Sequence, residues 1–436
     1  MSKKIILYHP KTHHEKNYRF FWIPYSILSV AAPLIDGGYD VEIWDNNLNE
    51  RTDYRKKLSS VLEDTICIGV SSMIGHQITC GLRFSKQVKE INSKIPIAWG
   101  GALSTLVPET TLKNKFIDFI VRGQGESGFL GLIHYLEGKQ KSIPKNVGYK
   151  NNGKINEGEN TVFEDKNTFP RYPFKIINIK RYIRNDPQIN TRVLNYVSSQ
   201  GCPFGCGFCT DTSIYHQKWS ALDVDRVIDE VRFLIKGFKL NGIKFYDSNF
   251  FVNKKRTIDF ARRFSEISVS WAASAHPKNL LDLTSKDFDI LRQSNLKRLL
   301  IGAESGVQEE LNLVKKGIKV KDIEKLADAL NKKDIIASFT FIVGYPKMPE
   351  ENIDITLKFA ERLATEYKNH EFKIHIYLPF PGTPLYELAK NCGFSPPSTL
   401  EDWSRLDYYE KQTPWISSEH ETDVRIFNET YCPYVS

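Results

Sequence analysis

The sequence predicts an α/β protein in which a Rossmann-like sheet domain is followed by a partial (β/α)6 barrel of the TIM type and a short C-terminal cap. Short apolar runs alternate with amphipathic segments through the first third of the chain, and the same alternation returns after about residue 190. A polar stretch punctuated by Gly and Pro separates the two regions. Alternating strands and helices imply right-handed βαβ units, and hence parallel sheets covered by helices.

The first 145 residues predict one open sheet domain. Its predicted strands are 5–8, 41–45, 67–71, 96–99 and 117–121. Its predicted helices are 25–34, 78–91 and 127–136. The periodicity then fades, and Gly and Pro residues favour turns. We therefore expect residues 146–190 to be a linker with at most one hairpin.

Residues 191–392 predict six consecutive strand–helix units. The predicted strands are 193–197, 243–247, 269–273, 298–301, 335–343 and 372–378. The predicted helices are 224–238, 255–267, 285–293, 321–330, 352–363 and a short one after Pro384. In barrels of this kind the chemistry lies at the carboxyl ends of the strands. Residues 393–436 are expected to form a cap or tail.

Composition places the chain among ordinary globular proteins. Of its residues, 41% are hydrophobic and 26% are charged. Its length of 436 residues suits two or three domains. No run approaches the ~18 apolar residues of a membrane span. The apolar run at residues 5–8, near the start of the sequence, is too short for a signal peptide. Seven cysteines, three of them within eight residues, argue against a disulfide framework. We expect a cytoplasmic protein without a membrane span and without a nucleic-acid partner.

Residues 201–209 carry three cysteines in the spacing C-x3-C-x2-C, namely Cys202, Cys206 and Cys209. Pro203 and Gly205 between them favour a tight loop. Structural zinc requires four ligands, and the only nearby candidate for the fourth ligand is His216. Three thiolates suit instead a [4Fe–4S] cube with one iron left open for a substrate.

This motif, with the aromatic Phe208 just before its last cysteine, resembles the signature of the radical S-adenosylmethionine (SAM) superfamily. The resemblance implies that Cys202, Cys206 and Cys209 hold the cluster and that its open iron chelates SAM. An electron from the cluster would then cleave SAM to a 5′-deoxyadenosyl radical. The electron donor implied is an external protein such as flavodoxin or ferredoxin.

Further stretches of the second half resemble strand ends of the same superfamily. They are 245–250, 302–306, 316–317, 341–346 and 379–386. The SAM contacts that the resemblance implies are Phe208, Asp247, Ser248, Glu304, Ser305 and Gly344. His276 stands where relatives often have Arg, so it either faces the substrate or is structural.

Residues 123–128 match G-x-G-x-x-G, the fingerprint of dinucleotide binding. That fingerprint belongs after a first strand and requires an acidic residue ~20 positions later. Here it follows the fifth predicted strand, and residues 141–150 contain no acidic residue. A dinucleotide site is therefore not favoured.

Small residues end three strands of the first domain, which lets a bulky ligand approach the backbone at the sheet edge. The pattern resembles the cobalamin-binding domain of class B radical SAM enzymes. The implied cobalamin contacts are Ser71, Ser72, Met73, Gly100, Gly101, Gly123, Gly125 and Glu126. Because no D-x-H-x-x-G occurs, cobalamin is expected base-off and without His ligation. The alternative is a sheet with ordinary Gly turns and no cofactor.

The resemblance implies a cobalamin-dependent radical SAM enzyme, and methylation of an unactivated carbon in a small molecule is the leading hypothesis. The alternatives are an oxidative cyclase or rearrangement enzyme with the same cofactors, and a cobalamin- or metal-binding sensor without catalysis. A tRNA methylthiotransferase is less favoured, because Cys67 and Cys80 are too sparse for a second cluster and fit small core residues better.

Overall fold

The structure is a computed structural model that describes residues 3–12, 21–48, 54–160, 163–406 and 413–432. The chain divides into two compact units. The first comprises Met1–Tyr182 and Pro396–Asp407, and the second comprises Ile183–Ser395 and Tyr408–Ser436. No helix in the described part is long and apolar enough to cross a membrane.

The first unit is built on a sheet with the strand order β2-β1-β3-β4-β5-β6-β7. Its strands are β1 (Lys4–His9), β2 (Asp40–Asp45), β3 (Thr65–Ser71), β4 (Ile97–Gly100), β5 (Phe119–Val121), β6 (Val147–Asn151) and β7 (Lys154–Asn156). Its helices are α1 (Tyr25–Asp36), α2 (Tyr54–Ser59), α3 (Gln77–Ile91), α4 (Ala102–Leu106), α5 (Pro108–Lys113) and α6 (Glu126–Leu136). Strands β1 to β5 are parallel, which confirms the predicted Rossmann-like sheet.

Part of the segment expected to be a linker, residues 146–190, belongs to the first sheet. Its hairpin β6–β7 pairs antiparallel with β5 and extends the first sheet. A Cβ on Gly148 would lie 2.6 Å from the backbone oxygen of Glu157 and 2.7 Å from Ile120. Glycine there allows the chain to pack this closely. The first unit consequently continues through Tyr182.

The core of the first unit lies between the sheet and the helices α1 and α6. Ile5, Cys67 and Phe129 are among its buried members. Cys67 is fully buried and Cys80 nearly so, which agrees with the expectation that both are core residues.

The second unit is a partial barrel with the strand order β16-β15-β14-β13-β12-β9-β8. Its sheet strands are β8 (Arg184–Asp186), β9 (Asn190–Tyr196), β12 (Gly242–Phe245), β13 (Ser270–Ala275), β14 (Leu296–Glu304), β15 (Ile336–Val343) and β16 (Glu371–Ile376), and β10 (Ser199–Gly201) and β11 (Trp219–Ala221) form a separate hairpin. The six strands β9 and β12–β16 are parallel. The predicted (β/α)6 partial barrel is thus confirmed.

Helices connect and cover these strands. They are α7 (Thr210–Tyr215), α8 (Val224–Phe238), α9 (Lys254–Phe264), α10 (Pro277–Leu281), α11 (Ser285–Gln293), α12 (Gln308–Leu313), α13 (Val320–Lys332), α14 (Glu351–Glu366) and α15 (Pro384–Asn391). Side chains alternate along each strand with period two. On β16 the half-buried Glu371, Lys373 and His375 alternate with the buried Phe372, Ile374 and Ile376, and one of the half-buried residues, His375, lines the barrel cavity described below.

The expected C-terminal cap is divided between the two units. Helix α16 (Leu400–Trp403) belongs to the first unit and α17 (Ser418–Tyr431) to the second. The Asn428 side chain accepts from the backbone nitrogen of Ile374 (2.9 Å) and donates to its carbonyl (2.8 Å). Helix α17 thereby covers the edge strand β16, whose backbone groups would otherwise lack a neighbour. Residues 407–412 and 433–436 of the expected cap lie outside the described residues.

Candidate active site at the carboxyl ends of the barrel strands

The cysteine loop begins directly after the hairpin strand β10 and ends at α7. Gly201 precedes it with φ +77°, and a Cβ there would lie 2.3 Å from the Lys218 carbonyl oxygen. Gly207 is held by two backbone hydrogen bonds, to the carbonyl of Val314 (2.8 Å) and from the nitrogen of Leu385 (3.0 Å). The loop is therefore anchored to two other segments of the barrel unit.

The three thiols lie close enough to affect one another. Burial raises the pKa of all three thiols. The pKa of Cys206 rises to about 11, and that of Cys209 rises more than that of Cys206. The charges of Cys202 and Cys206 add to this rise at Cys209. Such thiols bind as thiolates once a metal replaces the proton.

The donor set fits an iron–sulfur cube better than a zinc ion. Among the described residues, no three His, Cys, Asp or Glu side chains converge closely enough to hold one ion. A zinc site requires such convergence, whereas the cysteines of a [4Fe–4S] cluster bind different irons of a larger object.

A buried ion pair lies beside the loop. Lys316 Nζ donates to Glu304 Oε1 at 2.7 Å, and the two side chains are only 5% and 6% exposed. A Cβ on Gly302 would meet Glu304 Oε1 at 2.2 Å and Lys316 Nζ at 2.9 Å, so the absence of a side chain at Gly302 leaves room for the pair. The positive charge of Lys316 opposes the effect of burial on the pKa of Cys202 and Cys206.

Glu304 has an unusual backbone conformation. Its φ is +66°, a left-handed value that is uncommon for a residue other than glycine. Strain of this kind is found often at functional sites. It directs a carboxylate, held by a lysine, to the carboxyl end of β14.

A cavity of ≈ 320 Å³ opens at this end of the barrel. Phe208 of the cysteine loop and Glu304 both line it, so the structure brings these two predicted SAM contacts together. Its other lining residues are Thr340, Ile342, His375, Ile376, Tyr377, Leu378 and Phe380. Burial and the charge of Lys373 lower the pKa of His375 to about 4. Sequence reasoning missed Thr340 and His375, although the alternation of strands β15 and β16 could have placed them inside.

Asp247 and Ser248 lie after β12. Asp247 is buried, and it accepts hydrogen bonds from the Ser198 nitrogen (2.7 Å), the Ser198 hydroxyl (2.6 Å) and the Ser199 hydroxyl (2.7 Å). It thus braces the start of the hairpin that carries the cysteine loop. Ser248 is exposed. That either residue contacts SAM stays a prediction.

Ser305 and Gly344 also have partners within the barrel unit. The Ser305 hydroxyl donates to Glu310 (2.5 Å) and accepts from the Val307 nitrogen (2.9 Å). The Gly344 carbonyl accepts from the Trp415 indole nitrogen at 3.0 Å. Gly344 has φ +78°, which favours glycine. Their predicted contacts with SAM are likewise untested.

In the first unit, three predicted cobalamin contacts meet at the ends of β3 and β4. The Ser72 backbone nitrogen and hydroxyl both donate to the Gly100 carbonyl, at 2.8 and 2.9 Å. Gly101 has φ +98°, and a Cβ there would lie 2.6 Å from the Ser72 carbonyl oxygen. The backbone is therefore bare and closely packed at this edge.

The other predicted contacts lie at the same carboxyl edge. The Ser71 hydroxyl pairs with that of Ser26 at 2.9 Å, and Gly123 has φ +66°. Met73 is 48% exposed. Gly125 precedes α6 as its N-cap, and Glu126 is its first residue.

The side chain of Glu126 indicates that this edge suits a bound group. It is 2% exposed, and its Oε1 has no hydrogen-bond partner among the residues described. Buried polar atoms are rarely left unpaired, and a ligand with hydrogen-bond donors would satisfy this one. An orphaned carboxylate oxygen beside bare backbone thus fits a bulky polar cofactor such as cobalamin.

Comparison with known proteins agrees with both halves. The model of the radical SAM superfamily matches residues 196–360, and that of the B12 binding domain matches residues 16–133. An uncharacterized methyltransferase of Pyrococcus horikoshii is 27% identical over 83% of this chain and 77% of its own. The anaerobic magnesium-protoporphyrin IX monomethyl ester cyclase of Rubrivivax gelatinosus is 23% identical over 84% of this chain and 66% of its own.

Among solved structures, the radical SAM methyltransferase TsrM of Kitasatospora setae, with cobalamin and a [4Fe–4S] cluster bound, is similar in fold. Its TM-score is 0.73 at 15% identity, over 98% of this chain and 91% of that one. Both units and their order along the chain are thus found together in a protein of known fold. The chain belongs to the cobalamin-binding class B of the radical SAM superfamily, enzymes that use a [4Fe–4S] cluster, SAM and cobalamin.

Proposed function

We propose that the protein is a C-methyltransferase that acts on an unactivated carbon of a small molecule. The observation that carries the proposal is the cavity shared by Phe208 and Glu304, because it places an aromatic ring of the cysteine loop and a fixed carboxylate around one space. The names of the Pyrococcus horikoshii relative and of TsrM, both methyltransferases, support the same reaction.

Each half of the cavity has a role in this proposal. Glu304, held by Lys316 at 2.7 Å, would accept hydrogen bonds from the ribose hydroxyls of SAM, which suit a fixed carboxylate. Phe208 would pack against the adenine. The apolar side chains Ile342, Leu378 and Phe380 line the same cavity and would exclude water from the reacting groups.

The cofactors supply the chemistry that side chains cannot. When bound, the cluster supplies the electron for cleavage of SAM, and cobalamin supplies a transferable methyl group. Cys202, Cys206 and Cys209 would hold the cluster, while Ser72, Gly101 and the unpaired oxygen of Glu126 would border the cobalamin. An external flavodoxin or ferredoxin would reduce the cluster.

Labelled SAM distinguishes methylation from the alternative, oxidative cyclisation, which the Rubrivivax gelatinosus relative represents. The protein would be reconstituted anaerobically with iron, sulfide and cobalamin, then incubated with dithionite, SAM bearing a deuterated methyl group, and small-molecule fractions of the source cells. Methylation predicts a deuterated product together with both 5′-deoxyadenosine and S-adenosylhomocysteine.

A product without deuterium, formed without S-adenosylhomocysteine, would show that the enzyme is not a methyltransferase. The Cys209→Ala variant is the control, because it lacks one cluster ligand. It should yield no 5′-deoxyadenosine.

A further inference from the structure

His276 lies at the end of β13, where it caps the short helix α10. It is 6% exposed. Its ring stacks on Phe204 of the cysteine loop, with ring centroids 3.7 Å apart and planes 8° from parallel. Its Nε2 lies 3.9 Å from Cys206 Sγ. A residue 70 positions along the chain thus contacts the middle cysteine of the loop.

The hydrogen bond at Nδ1, the other ring nitrogen, determines which nitrogen of His276 carries the proton. His276 Nδ1 accepts a hydrogen bond from the Lys278 backbone nitrogen at 3.3 Å. A nitrogen that accepts cannot carry a hydrogen, so the neutral ring carries its proton on Nε2. That N–H is directed at Cys206.

Neighbouring groups hold the ring in place. The His276 backbone nitrogen donates to Asn249 Oδ1 at 3.3 Å, and the Asn249 side-chain nitrogen donates to Asn279 at 2.8 Å. Pro277 follows at the first position of α10 and restricts the backbone there. Stacking, the backbone bond and the cap together leave the imidazole little freedom to turn its donor elsewhere.

We infer that His276 donates a hydrogen bond through Nε2 to the Cys206 thiolate and thereby raises the reduction potential of the cluster. A donor at a ligating sulfur stabilises the more negative, reduced cluster, and such hydrogen bonds are among the determinants of cluster potential. His276 is a positioning and tuning residue, since it acts through Cys206. The inference concerns the cluster alone, so it holds whether the product is methylated or cyclised.

Two substitutions separate the hydrogen bond from packing. His276→Leu keeps much of the volume but removes the donor, whereas His276→Gln keeps an N–H donor of similar reach. The buried His370, whose Nδ1 accepts from the Ala337 nitrogen and whose Nε2 lies 2.9 Å from the Ala327 carbonyl, provides the matched control His370→Leu. It removes an imidazole from the same unit but not from the cysteine loop.

The measurement is the midpoint potential of the reconstituted cluster, obtained by a dithionite titration followed by electron paramagnetic resonance without SAM, with iron content determined on each sample. His276→Leu should shift the one-electron reduction equilibrium about tenfold towards the oxidised cluster, a change of about 59 mV. His276→Gln and His370→Leu should stay near the wild-type potential. Loss of iron from His276→Leu but not from His276→Gln would also support the donor.

The inference is overturned if His276→Leu keeps the wild-type potential at full iron content. It is equally overturned if the Leu and Gln variants shift alike, if both lose their iron, or if His370→Leu shifts as far as His276→Leu. In each of those cases the imidazole would act only by its shape or by general effects on the fold.

Discussion

The buried pair of Lys316 and Glu304 allows a quantitative test of how the cysteine side of the barrel is stabilised. Both side chains are almost fully excluded from solvent, and their charged atoms are 2.7 Å apart. Replacing Lys316 with Met leaves the Glu304 carboxylate buried without its cation. Breaking a buried pair in this way costs about 3–5 kcal/mol.

The expected change in melting temperature follows from that free energy. For a domain of about 150–250 residues, each kcal/mol shifts the melting temperature by about 2–4 °C. Lys316→Met should therefore lower the melting temperature of the barrel unit by about 6–20 °C. Circular dichroism of the apoprotein measures this without a contribution from the cluster.

The double variant Lys316→Met with Glu304→Gln is the control, because it removes both charges and keeps the shape. It should recover most of the loss, since replacing both partners of a buried pair is often neutral. If Lys316→Met melts within about 2 °C of the wild type, less than 1 kcal/mol in a unit of this size, the pair does not stabilise the barrel and this reasoning is wrong.

Two further predictions concern other parts of the chain. Partial burial lowers the pKa of His420, but its hydrogen bond to Glu350 and the charge of Asp354 raise it overall. The ion pairs therefore stabilise α17 fully below the unfolded pKa of about 6.5 and lose this effect as pH rises through the folded value. The protection factors of the amides in residues 418–431, which are exchange rates corrected for the intrinsic effect of pH, should fall over that rise in the wild type but not in His420→Gln. Equal changes of the protection factors in both proteins would contradict this. In the first unit, Gly101→Ala should reduce the cobalamin content after reconstitution, measured by absorbance, because its Cβ would lie 2.6 Å from the Ser72 carbonyl oxygen. Gly38→Ala is the matched control, since its φ is also positive (+81°) but nothing lies within 4 Å; an equal loss in both variants would indicate backbone strain alone.

Much of the fold could be predicted because its signals are local. The parallel strands of both sheets appear as short apolar runs, and the six barrel units follow from their alternation with amphipathic helices. The C-x3-C-x2-C spacing is similarly local, because three candidate ligands on one tight loop can be recognised without any distant partner.

The pairing of the hairpin β6–β7 with β5 could not be predicted in the same way. That pairing joins residues 147–149 to residues 119–121 across the intervening helix α6. The two strands of the hairpin are short and largely polar. Such strands carry a weak hydrophobic pattern, and a weak pattern specifies register poorly. The division of the C-terminal segment between two units is similarly a matter of which surface each helix covers.

The sequence by itself determined the two-part architecture, and it predicted the cluster ligands and the two sheet edges at which the cofactors are expected. The tertiary structure alone decided which polar groups near those motifs are already paired, as in Asp247 and Ser305. It also showed that Glu126 Oε1 has no partner within the part of the chain that the structure describes. It alone also brought His276 to Cys206 and showed that His375, which alternation along β16 could place inside the barrel, lines the same cavity as Glu304. The physical reason is that hydrogen bonding and burial depend on neighbours distant in the chain, whereas spacing and periodicity depend only on those nearby.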